Sequence, residues 1–484
     1  MSLFSGISAI PFMLMASRKF RSKELQELHK KHPVLRTGPN SLSYGDVRAI
    51  KDIYGHNTRC GKDPSYIVSA GSHYHLADVI DRADHSRKRK VLSSAYALKN
   101  LETWEHKVSD KIARLVKHFD SVCTAPLPAG QEEPDPADLT VDFRAWTNFF
   151  SLDAIVDIGL SEKLGFLDQG HDMCTAERKD GTTYRASLRD ALYPNARKQS
   201  LLLWNYDWYP IINRWVNIIP YFAKMQKSSD TWEDIVWHHA MQRRRRYEAG
   251  EKLDDFFSAL MEDKAGHPLG LEWGEVCAEI NIMMNAGSVT TAIAITNVMY
   301  QLLRNPQCLA TLREEIDSVY DSEDEVVASY DKVKHLPYLR ACLDESLRIF
   351  PPTSHGLPRE TPPEGMEILG QWVPGKTSVS MSAYVAHRDE TVFPEAHLYK
   401  PERWLGEEGK ALQPYFVAFS AGARSCIGRN ISYLEQTVIL ATLVRRYEFA
   451  LPSKDWELQR EETMNLILGG MPVKVWRRQL DGDA

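Results

Sequence analysis

The sequence predicts a mainly α-helical protein with small β-sheets, an α+β architecture in one large domain, and three observations carry that prediction. Apolar residues recur at spacings of three and four over Leu101 to Phe119, Val276 to Leu303, Leu339 to Ile349 and Ile431 to Tyr447, the period of helices with a buried face. Short alternating stretches, Val34 to Leu42, Met366 to Val373 and Thr377 to Ser382, are bounded by glycine and proline and read as strands of small sheets. No long Gly/Ser or Pro linker divides the 484 residues, so a single domain suffices although the length would accommodate more.

At the start of the chain, Leu3 to Ala16 is apolar but interrupted by Ser5, Gly6, Ser8 and Pro11. It falls short of the roughly twenty residues a spanning helix needs. Arg18, Lys19, Arg21 and Lys23 follow, so residues 1–25 are expected to form a short apolar segment with a basic flank. It reads as a shortened anchor or an interfacial helix in peripheral contact with a membrane, or as the first buried helix. Residues 26–484 are expected to form the main domain. Thr124 to Asp138, rich in Pro, Ala and acids, reads as a surface loop.

With 43% hydrophobic and 26% charged residues, the chain can bury a large core. A net charge of −6 provides no global basic field and argues against a nucleic-acid partner. The run Arg243 to Arg246 is closely followed by Glu248, Glu251, Asp254 and Asp255 and reads as a solvated helix face. Seven cysteines, at 60, 123, 174, 277, 308, 342 and 426, are scattered without a CxxC pair. That pattern speaks against a disulfide framework and a zinc site, and for a reducing compartment.

An isolated cysteine of this kind reads as a buried apolar thiol, and six of the seven are read so. Cys426 differs because of its neighbours in Phe419-Ser-Ala-Gly422-Ala-Arg424-Ser-Cys426-Ile-Gly428, which lead into the helix predicted from Ile431. Gly422 permits a tight turn, and Gly428 presents no Cβ to a flat macrocycle lying against it. Arg424 offers a charged fork to a carboxylate. Cys426 stands where a loop enters a helix, so backbone N–H groups and the positive helix end favour a thiolate. Thiolate ligation of haem iron favours O–O cleavage. At average residue usage such a string arises by chance in a chain of this length on the order of once in ten thousand.

This string resembles the haem-binding loop of the cytochrome P-450 family, and the similarity runs from about Leu25 to Val475. The resemblance implies one P-450-type domain with haem b (iron protoporphyrin IX) between an oxygen-face helix and the cysteine loop, and with Cys426 as the axial iron ligand. It implies that His85 and Arg89, four apart on one helix face, Arg359 in Leu357-Pro-Arg359, and Arg424 hold the haem propionates, with Phe419, Gly422 and Gly428 completing the cradle. Many relatives have Trp at the position of His85. Glu345 and Arg348, three apart in Asp344-Glu-Ser-Leu-Arg348, together with Arg403 in Pro401-Glu-Arg-Trp404, resemble the family's structural Glu-Arg-Arg triad.

The stretch Ala286-Gly-Ser-Val-Thr-Thr291 resembles the oxygen-face helix, where Gly287 leaves room for dioxygen and Thr290 supplies a hydroxyl to the proton relay. The residue before that threonine is an acid in most relatives and Val289 here. An alkyl group cannot move a proton, so delivery must come through water held by Thr290, Ser288 or Thr291, or from the substrate. Val289 therefore keeps a rival in view, a haem-thiolate isomerase, dehydratase or peroxide user that needs no reductase. A haem sensor or carrier without turnover is opposed by the retention of both Gly287 and Thr290.

Leu28-His-Lys-Lys, Asn205-Tyr-Asp-Trp208, Leu253-Asp-Asp-Phe-Phe257 and Ala386-His-Arg-Asp389 are similar to fungal microsomal members of the benzoate para-hydroxylase-like type. That similarity implies a monomeric monooxygenase on the cytoplasmic face of the endoplasmic reticulum, or in the cytoplasm if the N-terminus does not anchor. Its electrons are expected from NADPH through NADPH-cytochrome P-450 reductase, with cytochrome b5 as a further partner. The chain carries no dinucleotide fingerprint of its own. Lys88, Lys90, Arg445 and Arg446 are the basic residues expected to help dock the reductase. The expected substrate is a lipophilic small molecule, a secondary-metabolite or aromatic intermediate. Met283, Asn285, Ala286, Thr353, His355 and Leu466 would face it, under a lid formed by the aromatic segment Leu201 to Phe222.

Overall fold

A computed structural model of the chain describes residues 3–97, 102–202, 208–320 and 325–479. At its centre runs a helix of 32 residues, Trp273–Arg304. Its sequence is apolar on nearly every side, which excludes a solvent-facing position, and every side chain from Thr291 to Leu302 is buried. Among the described residues this is the one helix with the length and hydropathy to cross a bilayer, yet 72% of that stretch is buried inside the protein. It is the core helix.

The helix Phe143–Leu160 lies along it, started by Asp142, whose carboxylate accepts the N–H groups of Arg144 and Ala145. Small residues let the two helices approach closely. A β-carbon on Gly159 would stand 2.1 Å from Met283 Cε, and one on Gly287 would stand 2.6 Å from Ile155 Cγ1. Further along, the hydroxyls of Thr147 and Thr296 meet at 2.9 Å. Helices Pro337–Ile349, Glu105–Val122 and Arg429–Arg446 complete the bundle. They follow the predicted stretches, except that Glu105–Val122 starts later than the apolar period; Leu101 lies outside the described residues.

Two of the three alternating stretches are hairpins instead of single strands. Val34–Gly38 turns at Pro39-Asn40 to pair with Ser41–Tyr44, and Met366–Ile368 turns at Leu369-Gly370 to pair with Gln371–Val373. Turn-forming residues in mid-stretch explain both. The third stretch is one strand, Ser378–Ser380, parallel to Ser41–Tyr44 and antiparallel to Arg359–Glu360, which pairs in turn with Gly61–Lys62. That last register sets Lys62 directly opposite Arg359.

Thr124 to Asp138 is irregular apart from a short turn, Pro136–Asp138. The helix Ile10–Ser17 buries Phe12, Met15 and Ala16 and packs against strand Val34–Gly38 and helix Leu188–Leu202, while Phe4, Ile7, Ile10 and Leu14 stay exposed. The arginine run is not simply a solvated face. Arg243 is buried and donates twice to Asp255, whereas Arg244 and Arg246 pair with Glu248 and Glu251 and Arg245 with Glu177.

Candidate active site

A cavity of about 750 Å³ lies between the central helix and the cysteine loop, within the size range of small-molecule sites. Gly422 makes the loop possible. Its φ of 66° suits glycine, and a β-carbon there would stand 2.2 Å from the carbonyl oxygen of Tyr54. The chain then returns so that the Cys426 N–H donates to Phe419 O at 2.8 Å, and Gly428 begins the helix Arg429–Arg446. Cys426 is surrounded by protein, yet its side chain opens onto the cavity. A β-carbon on Gly428 would touch no protein atom closer than 3.7 Å and would stand 3.9 Å from Cys426 Sγ. The glycine therefore keeps clear the surface beside the sulfur, not a protein contact.

Burial pushes the Cys426 thiol up, while the Gly428 N–H, Arg89 and Arg429 pull it down. The helix end alone does not secure a thiolate against burial, and a coordinated metal ion is what removes such a proton.

His85, Arg89, Arg359 and Arg424 all line the cavity, and Lys62 joins them. Arg89 donates to Ser425 O at 2.6 Å, and Arg424 to Val79 O and Ile80 O at 2.6 and 2.9 Å, so both arginines also brace the cysteine loop. Lys62 donates to Ala77 O and sits 4.0 Å over the Tyr66 ring. The positive groups disfavour one another's charge. Burial, then Arg359 and Arg424, hold the Lys62 ammonium well below its ordinary value. Burial, then Arg424, Arg89, Lys62 and Arg359, hold His85 down to about 4. Burial and the neighbouring Arg359 and Arg82 bring Arg424 to about 10. So much buried like charge at one wall suits a dianion. Lys62 gave no signal in the sequence, because only the sheet register brings it to Arg359.

On the opposite wall Gly287, Val289, Thr290 and Thr291 line the cavity. The Thr290 hydroxyl donates to Ala286 O at 2.8 Å, leaving its lone pairs free to accept. Ser288 does not belong to this wall: it is buried and donates back to Met284 O at 2.6 Å. Val289 is buried and offers no proton.

Behind the cysteine loop lies a buried ion network. Arg348 makes a two-pronged pair with Glu345, both bonds 2.8 Å, and Arg403 Nε reaches the same carboxylate at 3.0 Å. Arg348 also donates to His387 O. The buried His387 ring accepts the Val417 N–H at Nε2, so its proton is on Nδ1, which donates to Arg348 O. The triad is thereby wired to the start of the cysteine loop. His387 stands in one of the quoted sequence motifs, but nothing in the sequence disclosed this link.

The family model for Cytochrome P450 matches residues 13–475. The chain belongs to the cytochrome P450 family. Curated relatives include Cytochrome P450 monooxygenase efuB of Hormonema carpetanum, 29% identical over 93% of this chain and 85% of the relative. Cytochrome P450 monooxygenase atr2 of Stereocaulon alpinum is 30% identical over 94% and 86%, and Benzoate 4-monooxygenase bphA of Aspergillus niger 28% identical over 96% and 90%. The chain is thus a P450 enzyme, an oxidoreductase of the monooxygenase type. P450s carry haem and take electrons from a redox partner. The residues here fit that group: an accessible cysteine, a glycine-cleared surface beside it and an excess of buried positive charge at one edge.

All six side chains expected to face a substrate of this P450, Met283, Asn285, Ala286, Thr353, His355 and Leu466, line the cavity. Of the aromatic lid segment, residues 203–207 lie outside the described residues, and with them most of the motif Asn205 to Trp208. Of the rest, Leu201 and Leu202 end the helix Leu188–Leu202, Pro220 to Phe222 begin the helix Pro220–Glu248, and between them lies helix Tyr209–Val216, whose Tyr209 and Asn213 line the cavity. Two of the four proposed docking cations are not available to a partner. Lys88 is buried against Glu275 and Glu279 at 2.5 and 3.3 Å, and Arg445 is buried with its guanidinium 4.1 Å over the Tyr320 ring. The resemblance had placed Lys88 on a helix and the apolar period had placed Arg445 on one, but neither could say which face was covered.

Proposed function

We propose that this P450 inserts one oxygen atom of O2 into a lipophilic small molecule, a secondary-metabolite or aromatic intermediate, with haem b ligated through Cys426. When bound, the haem would supply dioxygen activation. Arg89, Arg359, Arg424 and neutral His85 would hold its propionates, with Lys62 a fifth partner, and Phe419, Gly422 and Gly428 would shape its bed. Gly287 and Thr290 would frame the oxygen side, Thr290 accepting a hydrogen bond from cavity water through its free lone pairs and so holding the water that delivers a proton. The observation carrying this reading is the single cavity that joins Cys426, the Gly287–Thr290 wall and the cluster of cations. The match to named monooxygenases gives no support to the reductase-free rival that Val289 suggested.

Electrons would come from NADPH through NADPH-cytochrome P450 reductase, with cytochrome b5 as an accessory donor, to a monomeric enzyme. Exposed Lys90 and half-buried Arg446 remain available for docking. Peripheral attachment to the endoplasmic reticulum membrane, cytoplasmic side, is supported by two exposed apolar groups. Phe4, Ile7, Ile10 and Leu14 form one, and Trp208, Ile211, Trp215, Ile218, Ile219 and Tyr221 the other. The helices bearing them both pack against Leu188–Leu202, and such patches mark contact with lipid or partners.

The test is incubation with reductase, NADPH and ¹⁸O2 against an aromatic panel that includes benzoate. Reductase-dependent ¹⁸O in a product supports the reading. Turnover that proceeds without reductase contradicts it.

A further inference from the structure

The cavity lining is of two kinds. Met283, Ala286 and Val289, all within about one turn of Gly287 on the central helix, are apolar. Five carboxamides form the other kind: Asn195 and Gln199 on Leu188–Leu202, Asn281 and Asn285 on the central helix, and Asn465 in the turn between strands Arg460–Glu462 and Leu466–Leu468. The helix Pro220–Glu248 packs against both of those helices. Its Trp232 indole donates to Asn281 Oδ1 at 3.0 Å. An indole nitrogen only donates, so the free end of Asn281 is its Nδ2 donor. The Thr353 hydroxyl occupies Asn465 Oδ1 at 2.7 Å in the same way. The side chains of Asn195, Gln199 and Asn285 make no hydrogen bond to any described residue.

Charge divides along the same line. Among the described residues every lysine and arginine on the cavity, Lys62, Arg89, Arg359 and Arg424, belongs to the cluster that suits the haem propionates. Burial holds His75 and His355 down to about 3, so both are neutral. Lys198 is buried beneath the lining, donating to Asn217 Oδ1 at 2.7 Å and Gln226 Oε1 at 2.8 Å. Of the acids on the cavity, Glu279 is paired with Lys88 and Glu435 stands on the helix after the cysteine loop. That leaves Glu233, next to Trp232, as the charged group at the amide end.

We propose that the substrate is an uncharged molecule with hydroxyl, carbonyl or amide groups at the end remote from the oxidised carbon, and is neither a carboxylate nor a cation. The carboxamides give N–H to its carbonyl oxygens, and Glu233 accepts from its O–H or N–H. A carboxylate there would meet Glu233, with no cation to offset its lost hydration. A cation would find Glu233, but the free amide N–H groups could do nothing for it. A wholly apolar molecule would displace the amides' water without replacing its bonds. Asn281 precedes Gly287 by six residues, about 9 Å along the axis, so a molecule about two aromatic rings long reaches from the amides to the oxygen side.

The proposal rests on the monooxygenase reading for what happens to the bound molecule, and its test reads binding alone. Four probes share one skeleton: 4-biphenylcarboxamide, 4-biphenylcarboxylate, (4-biphenylmethyl)trimethylammonium and 4-methylbiphenyl. Their affinities for the haem-loaded enzyme at pH 8 are measured by Soret shift and by equilibrium dialysis. The carboxamide should bind at least about tenfold tighter than either charged probe. Asn281→Leu and Asn285→Leu should each weaken it about three- to tenfold, the range of one neutral hydrogen bond, while 4-methylbiphenyl binds unchanged or tighter. Glu233→Gln should narrow the gap between carboxamide and carboxylate at least about threefold. Should Asn281→Leu not fold, because it strands the Trp232 donor, Asn285→Leu breaks no such bond and carries the same test. A carboxamide that fails to bind, a charged probe bound as tightly, or carboxamide affinity indifferent to the asparagine substitutions overturns the proposal. The expected binding order without reductase-dependent ¹⁸O in any product overturns the monooxygenase reading instead.

Discussion

Replacing Glu345 by alanine should remove more stability than any other single truncation away from the cavity. Its carboxylate accepts five hydrogen bonds, from Arg348 Nε and Nη2, Arg403 Nε, Trp404 Nε1 and the Lys400 N–H. Neither Glu345 nor Arg348 has exposed side-chain surface. Without the carboxylate, Arg348 keeps only carbonyl partners, His387, Ala396 and Leu398, for a buried charge. Breaking a buried pair from one side costs about 3–5 kcal/mol, and stranding the Trp404 and Lys400 donors adds about 1 kcal/mol each. Against a total stability of about 5–15 kcal/mol, a loss of about 5–7 kcal/mol leaves little. Because His387 joins Arg348 to Val417, the cysteine loop should loosen as well, and haem should be lost before the rest unfolds. Urea titration followed by tryptophan fluorescence, beside Soret absorbance on the same samples, measures both. A Glu345→Ala protein within about 1 kcal/mol of the parent that retains its haem would refute the reasoning.

The two loop glycines should separate. Gly422→Ala meets Tyr54 O at 2.2 Å in a left-handed conformation, so it should destabilise the protein with or without haem by more than about 1–2 kcal/mol, read by thermal unfolding of both forms. Gly428→Ala meets no protein atom inside 3.7 Å and should leave the haem-free protein unchanged while weakening haem titration. Lys62→Met should stabilise the haem-free protein, by relieving a cation disfavoured through burial, Arg359 and Arg424, and lower haem affinity; calorimetry and haem titration check the opposite signs. Burial and Arg348 hold His387 down to about 3 against an ordinary 6.5. The unfolded chain therefore takes up a proton that the folded protein refuses, so this contribution is present above pH 6.5 and lost as pH falls toward 3. At pH 5 about 2 kcal/mol should be gone, and the gap between urea midpoints at pH 7 and 5 should narrow by that amount in His387→Gln, the remainder coming from other depressed histidines such as His85.

How much of this was legible in the sequence varied with the range of the interactions. Helices were readable because a 3.6-residue period reports a buried face locally, and the cysteine loop because its chemistry requires fixed residues at fixed spacing. The hairpin turns at Pro39-Asn40 and Leu369-Gly370 were also local signals, passed over because alternation continues across them. Lys62 was invisible, since its partner Arg359 lies almost 300 residues away and only strand pairing unites them. His387 was visible as a motif but not as a link, because its ring bonds join backbone atoms of two distant segments. Lys88 and Arg445 misled for the converse reason: charge suggests solvent, and only packing shows a buried pair or an aromatic cover.

The central claim is that Cys426 binds haem iron through its sulfur, and the most direct measurement is the reduced carbon monoxide difference spectrum of the purified protein beside Cys426→Ala. A Soret band strongly red-shifted from that of a histidine-ligated haem, present in the parent and abolished in the variant, is the predicted result. A parent spectrum without that band, or a band that survives in Cys426→Ala, would contradict the account.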